Sequence, residues 1–431
     1  DVEVFDFRPG RFHTEATLGD ESEWIRIAQL YETLQADDRF ILIRPSQVLD
    51  FLDQPGAGNI LQLESPVQPI PVKKQAKYNI MRWALSGRDD LGLNTTCWQL
   101  FQALAAQDSA SEDDWKELCF LWSSDFRTHI TEARWQELQG RLMRMQQRLL
   151  VESRETEPQT GLTTDTFQVS RDGVYLQVET QRQRLRLNCR RGLAVDGWWD
   201  KTVSSVPLVK TLPHGYFDHI QFGSDYYTGH FVLEIPGQHK ITDLSTVTPT
   251  WDEVGGELNV RARVDTPLGP VDKVIRISGE RAELEIEHHF HWPSCPNGSL
   301  RLGYLTLNPE LFDADNLFVR THNGGDSAET FLFNNEPIDH LKPVSTLVSS
   351  GHGLGVTEGI VELGDHRHVL TLDVDKTAAA VTGHVLHAPV GESYLFRLVS
   401  SAMEMDDTSY QVETRSCFNE RVVKWRLLSD N

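Results

Sequence analysis

The chain has 431 residues, and its 63 aspartates and glutamates exceed its 41 lysines and arginines, which gives a formal net charge of −22. This charge argues against sequence-independent binding to nucleic acid or to anionic membrane lipid, because both require an excess of positive charge. Hydrophobic residues make up 39% of the chain, which is typical of a globular protein, and no apolar run approaches the roughly 20 residues that a membrane-spanning helix needs.

Residues 1–58 are predicted to be the end of an α/β barrel. Val2 and Val4 alternate with polar residues as in a strand, and apolar residues from Trp24 to Leu34 recur every three or four positions as in a helix. The run 40–43 is continuously apolar, which is typical of a buried parallel strand. The order strand, helix, strand indicates the barrel. Because the chain starts inside an alternating segment and without Met, we expect it to be the C-terminal part of a longer protein.

Residues 59–160 are predicted to form a three-helix bundle. Ser111 and Thr131 each stand just before a helical pattern, where a hydroxyl can cap the helix N-terminus. The second pattern carries apolar residues at intervals of three and four: Trp135, Leu138, Leu142, Met145 and Leu149. Such a stripe is typical of a helix packed against neighbouring helices.

Residues 161–431 are predicted to form a large antiparallel β-supersandwich, with an architecture like that of galactose mutarotase. Apolar and polar residues alternate over many short segments, with glycine, proline, asparagine and aspartate between them. In 282–292, every second residue from Ala282 to Trp292 is predicted to face the core, and the intervening glutamates and histidines to face outward.

The five cysteines are scattered and form no CxxC pair. They indicate neither a disulfide framework nor a zinc site, so we expect a cytoplasmic protein. His288, His289 and His291 invite a metal-binding interpretation, but neighbouring positions of one strand point to opposite faces and cannot converge on one ion. We therefore predict no metal and no cofactor.

Three segments of the first 160 residues could carry chemistry. Asp1 and Glu3 lie two residues apart on a strand, so they share one face, and a carboxyl group there could act as a general acid or base. The stretch 122–129 offers the indole of Trp122 for stacking on a sugar ring, and Asp125 and His129 for hydrogen bonds to hydroxyl groups. The polar and aromatic stretch 78–90 is the third. Each segment also has a structural interpretation: a solvated strand edge, a helix end with a buried tryptophan, and an ion-paired loop.

Two of these segments resemble motifs of glycoside hydrolase family 57. The sequence Asp-Val-Glu-Val-Phe at residues 1–5 resembles the family's fourth motif, and Trp-Ser-Ser-Asp-Phe at 122–126 resembles its fifth. The order of barrel end, helical domain and β domain also agrees with that family. Asp6 and Phe126 depart from it, since the family often has Gly and Trp at those positions.

The resemblance implies a role for each matching residue. Asp1 would be the acid/base, and Trp122 and Asp125 would contact the sugar. Glu3, Arg8, Trp83 and His129 are predicted to be further substrate-binding residues. The family's glutamate nucleophile belongs to a motif upstream of the acid/base, so it would lie in a barrel segment that this chain lacks, and retaining hydrolysis needs both carboxyl groups. We therefore expect the isolated chain to be inactive.

Other candidates lie in the β region. The segments 198–200 and 214–227 concentrate aromatic residues with Asp and His, and they could stack on a saccharide or pack the sandwich against the helices. His387, Glu392 and the turn 351–353 could serve a site of the mutarotase type.

The resemblance thus implies a retaining glycoside hydrolase or 4-α-glucanotransferase that acts on α-glucans, with an oligo- or polysaccharide as its substrate. Its partners would be the saccharide and the missing barrel segment, with no nucleic acid and no membrane. Two alternatives remain. One is a non-catalytic carbohydrate-binding or scaffold protein, and the other is a mutarotase- or lyase-like enzyme with its site in the supersandwich.

Overall fold

The computed structural model describes most of the second half of the chain and parts of the first. The described residues are 23–42, 44, 47, 84–107, 110–126, 131–150, 166–322, 327–337, 349–350, 353–405, 414–415 and 418–429. The chain divides into two compact units, Asp1–Leu63 and Glu64–Asn431.

In the first unit the described residues form one helix, α1 (Glu23–Ala36). The predicted buried strand at 40–43 is wrong for its described part, because residues 40–42 have no strand structure and Phe40, Ile41 and Leu42 are 52%, 75% and 45% exposed. An apolar run alone did not distinguish a buried strand from an exposed segment. The α/β barrel is therefore not confirmed, and its predicted first strand lies outside the described residues.

Three helices begin the described part of the second unit: α2 (Asp90–Ala105), α3 (Glu112–Leu121) and α4 (Glu132–Leu149). The predicted caps are confirmed, because the Ser111 hydroxyl accepts a hydrogen bond from the backbone N–H of Asp114 and the Thr131 hydroxyl from that of Arg134. The three helices share a small hydrophobic core that includes Leu100.

Helix α2 also bonds directly to a loop of the β region, at residues 377–380. The Thr95 hydroxyl accepts a hydrogen bond from the Ala380 backbone, and the Gln99 amide donates to the Thr377 carbonyl at 2.7 Å. These helices belong to the same compact unit as the strands. An independent three-helix bundle is therefore not confirmed.

The strands form three larger antiparallel sheets and one small one. The five-stranded sheet follows chain order: β1 (Gln168–Asp172), β2 (Tyr175–Glu179), β3 (Gln183–Asn188), β4 (Ala194–Asp200) and β5 (Val209–Lys210). The seven-stranded sheet contains, in chain order, β6 (Phe231–Glu234), β7 (Ile241–Thr242), β13 (Ser299–Thr306), β16 (Ser349–Ser350), β17 (Gly353–Val356), β20 (Thr382–Val390) and β21 (Ser393–Met403).

The nine-stranded sheet contains β8 (Thr250–Val254), β9 (Glu257–Thr266), β10 (Gly269–Ser278), β11 (Glu283–His291), β14 (Phe318–Thr321), β15 (Glu329–Leu332), β18 (Ile360–Gly364), β19 (Val369–Val374) and β23 (Asn419–Ser429). The short pair is β12 (Cys295–Pro296) and β22 (Thr414–Arg415). In spatial order the seven-stranded sheet runs β16-β17-β20-β21-β13-β6-β7, so β13 lies between β21 and β6.

The seven- and nine-stranded sheets enclose one large core. Phe231 of β6 contacts the rings of Phe290 and Trp292 across it, at centroid distances of 5.3 and 5.8 Å. The predicted alternation in 282–292 is confirmed, because every second residue from Ala282 to Trp292 is at most 3% exposed. The predicted antiparallel β-sandwich is confirmed on these grounds.

Candidate functional site

The outer face of the nine-stranded sheet is heavily charged, and its charges balance. Arg276 pairs with Glu285 and Glu287, and Lys424 lies 2.9 Å from Glu285. Burial alone would raise the pKa of Glu287, but hydrogen bonds from His289 and Arg276 hold it at about 2. These groups compensate one another, so this face is explained without a ligand.

The outer face of the seven-stranded sheet has a different character, which begins at a bulge in β13. Gly303 adopts a φ of +62°, and a Cβ there would lie 2.7 Å from the indole nitrogen of Trp425. The pairing with β21 shifts register between Leu302 and Leu305, and both leucines are fully buried in the core. The bulge thereby turns Tyr304 to the face opposite the core.

Tyr304 contacts two polar side chains on that face. Its ring stacks on the imidazole of His230, with centroids 4.4 Å apart and an angle of 18° between the planes. The guanidinium carbon of Arg397 lies 4.4 Å from the Tyr304 centroid and 5.4 Å from that of Tyr226. Arg397 also donates a hydrogen bond to the Tyr227 carbonyl at 2.8 Å. We refer to these five residues as the Arg397 site.

Arg397 is the most unusual charge in this group. It stands in an apolar strand between the buried Phe396 and Leu398, and its own side chain is partly buried. Its hydrogen bonds go to neutral oxygens, the Thr306 hydroxyl at 3.2 Å and the Tyr227 carbonyl. Among the residues that the structure describes, no carboxylate pairs with it. Burial lowers the pKa of Arg397 to about 10, which still leaves it charged at neutral pH.

The protonation states of its neighbours complement this cation. Burial lowers the pKa of His230 to about 3, so its imidazole is neutral at physiological pH, and its buried Nδ1 has no hydrogen-bond partner among the described residues. Burial raises the pKa of Tyr304, so its hydroxyl stays protonated. The site therefore combines a cation, a phenol that can donate a proton and a neutral imidazole that can accept one.

A second arginine on the same face serves as a contrast. Arg301 forms a two-pronged ion pair with Glu404, at 2.8 and 3.0 Å, and Ser401 donates to the same carboxylate at 2.7 Å. The pair holds the pKa of Arg301 above its ordinary value. Arg301 is thus bound within the protein, whereas Arg397 keeps donors available.

A fully buried lysine supports the site from the core side. The ammonium of Lys273 donates to the carbonyl groups of Gly192 and Gly229 and to the carboxylate of Asp243, at 3.1 Å for the last. Burial would raise the pKa of Asp243, but Lys273, His288 and His230 together outweigh that effect and hold it well below its ordinary value. Gly229 precedes His230, so this lysine fixes the segment that carries His230.

The residues predicted from the family 57 motifs are only partly described. Asp1, Glu3, Arg8, Trp83 and His129 lie outside the described residues. Asp125 belongs to the short 3-10 helix Ser124–Phe126. Trp122 ends α3 and donates its indole N–H to the side chain of Asn94 at 3.0 Å, which joins α3 to α2. Sugar contacts by these residues remain predictions.

Of the candidates in the β region, the segment 214–227 contributes Tyr226 and Tyr227 to the site. Its other aromatic residues pack on one another and against Val390 and Leu395 of the sandwich. In 198–200, Trp198 is fully buried and Asp200 is bound to Arg182, so both are structural.

The histidines singled out in the sequence are not among the five residues of the Arg397 site. His288 faces the core beside Asp243, while His289 and His291 face outward and contact Glu287 and Asp272, as the alternation predicts. His387 is buried against the rings of Phe333 and Tyr394. Glu392 is exposed in the β20–β21 turn, and residues 351 and 352 lie outside the described residues.

Sequence reasoning missed His230, Tyr304, Arg397 and Lys273. A signal existed for Lys273, which is the single charge at an inward position of its strand, and for Arg397, which is the single charge in an otherwise uncharged strand. No comparable signal marked Tyr304, because the alternation of apolar and polar residues along a strand does not reveal the bulge that orients this side chain.

Two further properties concern only the described part of the chain. No group of three or more histidine, cysteine, aspartate or glutamate side chains there is arranged to hold a metal ion. None of its helices combines the length and apolarity required to cross a membrane.

No family model matches the chain, and no curated protein matches it. Several solved structures are similar. A galactose mutarotase-like protein from Clostridium acetobutylicum has 8% identity and a TM-score of 0.39, over 62% of this chain and 100% of that one. A galactose mutarotase-like protein from Lactobacillus casei has 10% identity and a TM-score of 0.38, over 59% and 99%. An α-N-acetylgalactosaminidase from Bifidobacterium bifidum has 11% identity and a TM-score of 0.34, over 58% and 35%.

These findings correct the predicted family. Membership in glycoside hydrolase family 57 is wrong, since no family model matches the chain. Two motifs of five residues were too short to establish a family. The α-amylase-like glucanotransferase activity falls with it. At TM-scores this low, the function has to be argued from the site itself.

Proposed function

We propose that the chain binds a saccharide at the Arg397 site and acts on its anomeric centre. The observation that carries this proposal is the partly buried guanidinium of Arg397, which contacts two tyrosine rings and has no carboxylate partner among the described residues. A buried charge without a partner opposes folding, so its presence favours a functional explanation.

The donors and acceptors of the site suit a ligand rich in hydroxyl groups. Arg397 uses two of the five N–H donors of a guanidinium on Thr306 and Tyr227, which leaves three for a ligand. The Tyr304 hydroxyl has no partner in the described part of the chain, and Tyr304 is partly exposed. Together they can bind vicinal hydroxyl groups from one side.

The same groups support interconversion of anomers. The imidazole of His230 would accept the proton of the anomeric hydroxyl, and the Tyr304 phenol would donate a proton to the ring oxygen as the bond between that oxygen and the anomeric carbon breaks. Arg397 would stabilise the resulting phenolate. Closure of the open-chain aldehyde on its other face reverses both transfers, so nothing is consumed.

The low pKa of His230 favours a second candidate function. A base with a pKa of about 3 accepts a proton weakly at neutral pH. A carbohydrate-binding protein without turnover would use the same donors and would not need that step.

The test combines binding and turnover. Titration calorimetry with galactose and glucose measures binding, and polarimetry with their α-anomers measures mutarotation. We expect Tyr304→Phe to lower the rate by about 10²- to 10⁴-fold, the usual contribution of a general acid, while binding changes only a few-fold. Tyr216→Phe is the control, because the Tyr216 hydroxyl contacts Glu310 outside the site.

Three outcomes are informative. Binding that Arg397→Met abolishes, without mutarotation, would establish the binding protein instead of the enzyme. Full activity in Tyr304→Phe would remove that residue from the mechanism. The absence of any saccharide binding would refute the proposal.

A further inference from the structure

Three carboxylates interact with tyrosines of the Arg397 site, and each of them already has a partner of its own. Glu404 is bound by Arg301 and Ser401, and Glu234 by Lys240. The remaining neighbour is Asp225, whose carboxylate accepts hydrogen bonds from the Tyr227 hydroxyl at 3.0 Å and from the His214 backbone at 2.7 Å. None of them forms an ion pair with Arg397 in the described structure.

A second cation borders the same residues. The guanidinium carbon of Arg191 lies 5.9 Å from the centroid of the Tyr227 ring, and its side chain is exposed. No ion pair of Arg191 is present in the described part of the chain. Arg191 directly precedes Gly192, whose carbonyl group accepts a hydrogen bond from Lys273. Two arginines without carboxylate partners therefore meet at Tyr227.

This arrangement contrasts with the rest of the molecule. The chain carries a formal net charge of −22, and on the nine-stranded sheet arginines such as Arg276, Arg261 and Arg263 pair with glutamates or aspartates. Although acidic groups are in excess, Arg397 has no ion pair with a carboxylate in the described structure. Its charge is therefore available to a ligand. A neutral ligand would leave that charge uncompensated, whereas an oxyanion would compensate it and could accept two parallel hydrogen bonds from the guanidinium.

We infer that the saccharide of the Arg397 site carries an anionic group, which Arg397 binds directly and Arg191 attracts from the rim. The anion can be the carboxylate of a sugar acid or the phosphate of a sugar phosphate, since both present oxygens to a guanidinium in the same way. This inference rests on the proposed function, because it specifies the ligand of the same site.

The experiment compares four probes by titration calorimetry with the full chain: galactose, galacturonate, galactose 6-phosphate and inorganic phosphate. We expect at least one of the two anionic sugars to bind at least tenfold more tightly than galactose. Inorganic phosphate should bind more weakly than galactose 6-phosphate, because it lacks the sugar. The better of the two anionic sugars identifies the source of the anion.

Variants connect that preference to Arg397. Arg397→Met should reduce the affinity for the anionic sugar to that for galactose, and Arg397→Lys, which keeps the charge but loses the planar fork, should weaken it by a smaller factor. Arg263→Met is the matched control, because it removes the same charge from an arginine that is 60% exposed on the other sheet. Circular dichroism confirms folding of each variant, and Arg397→Lys alone decides if Arg397→Met does not fold.

The results separate this inference from the proposed function. Equal affinity for galactose and both anionic sugars would overturn the inference and leave saccharide binding intact. An unchanged preference in folded Arg397→Met or Arg397→Lys would also overturn it. Inorganic phosphate binding as tightly as the sugar phosphate would show an anion site without sugar recognition. If no sugar binds, both proposals fail.

Discussion

Two arginines on one sheet face should differ greatly in how much stability the same substitution removes. Arg301→Met removes the partner of Glu404, whose side chain is only 2% exposed. Leaving one member of a buried ion pair without its partner costs about 3–5 kcal/mol. The Ser401 hydroxyl remains bonded to Glu404, but a single neutral donor does not replace the guanidinium. We therefore expect a large loss of unfolding free energy.

Arg397→Met should change the unfolding free energy by no more than about 1 kcal/mol, because two effects nearly cancel. Burial lowers the pKa of Arg397 from 12.5 to about 10, which corresponds to an unfavourable contribution of roughly 3 kcal/mol that the substitution removes. Against this stand the hydrogen bonds to Thr306 and Tyr227, at about 1 kcal/mol each, and the contacts with two tyrosine rings, at about 0.5–1 kcal/mol each.

Urea denaturation followed by tryptophan fluorescence measures both variants, with unchanged m-values as the sign that the unfolding transition is comparable. The double variant Arg301→Met/Glu404→Gln should recover much of the loss, since it removes the unpaired charge. If Arg397→Met lost as much stability as Arg301→Met, Arg397 would be a structural cation like Arg301. The functional explanation of its missing carboxylate would then be refuted.

Three further predictions concern the support of the site and the core. Lys273→Met should lower the unfolding free energy by about 3–5 kcal/mol, because it leaves Asp243 buried without its partner, and adding Asp243→Asn should restore part of it in the same urea assay. Burial lowers the pKa of His387 to about 4, so the unfolded chain takes up this proton first as the pH falls from about 6.5, and the unfolding free energy should decrease by up to roughly 3 kcal/mol by pH 4. His387→Phe should make this decrease smaller in denaturation curves at pH 7.5 and 4.5. An unchanged dependence of stability on pH would contradict the prediction. Gly303→Ala should destabilise the fold more than Gly173→Ala. Both glycines have a positive φ, but of these two only Gly303 has another atom within 4 Å of the added Cβ. Equal decreases in Tm for the two variants would refute this packing argument.

The sequence predicts the sandwich well because its signal is local and repeated. In 282–292 each inward position is apolar, except His288, which lies beside the buried carboxylate of Asp243. Alternation with a period of two was therefore enough to predict which side chains face the core. The helix caps Ser111 and Thr131 were predictable for the same reason, since one hydroxyl satisfies a nearby backbone N–H. The apolar run 40–42 misled because it has no alternation, and burial then depends on neighbours that the run itself does not specify.

The candidate site was largely invisible in the sequence because it is made where regular patterns stop. A bulge at Gly303 directs Tyr304 outward. Arg397 interrupts the apolar strand β21, which pairs with the strand of Tyr304 but lies far from it in sequence. His230 and Arg191 stand beside glycines whose carbonyl groups meet on the ammonium of Lys273. A single buried lysine, Lys273, thus fixes two turns that carry functional side chains. Substitution of Lys273 should therefore lower stability and weaken ligand binding together. The regular strand pattern is broken at Gly303, Lys273 and Arg397, and the fold builds its site from these positions.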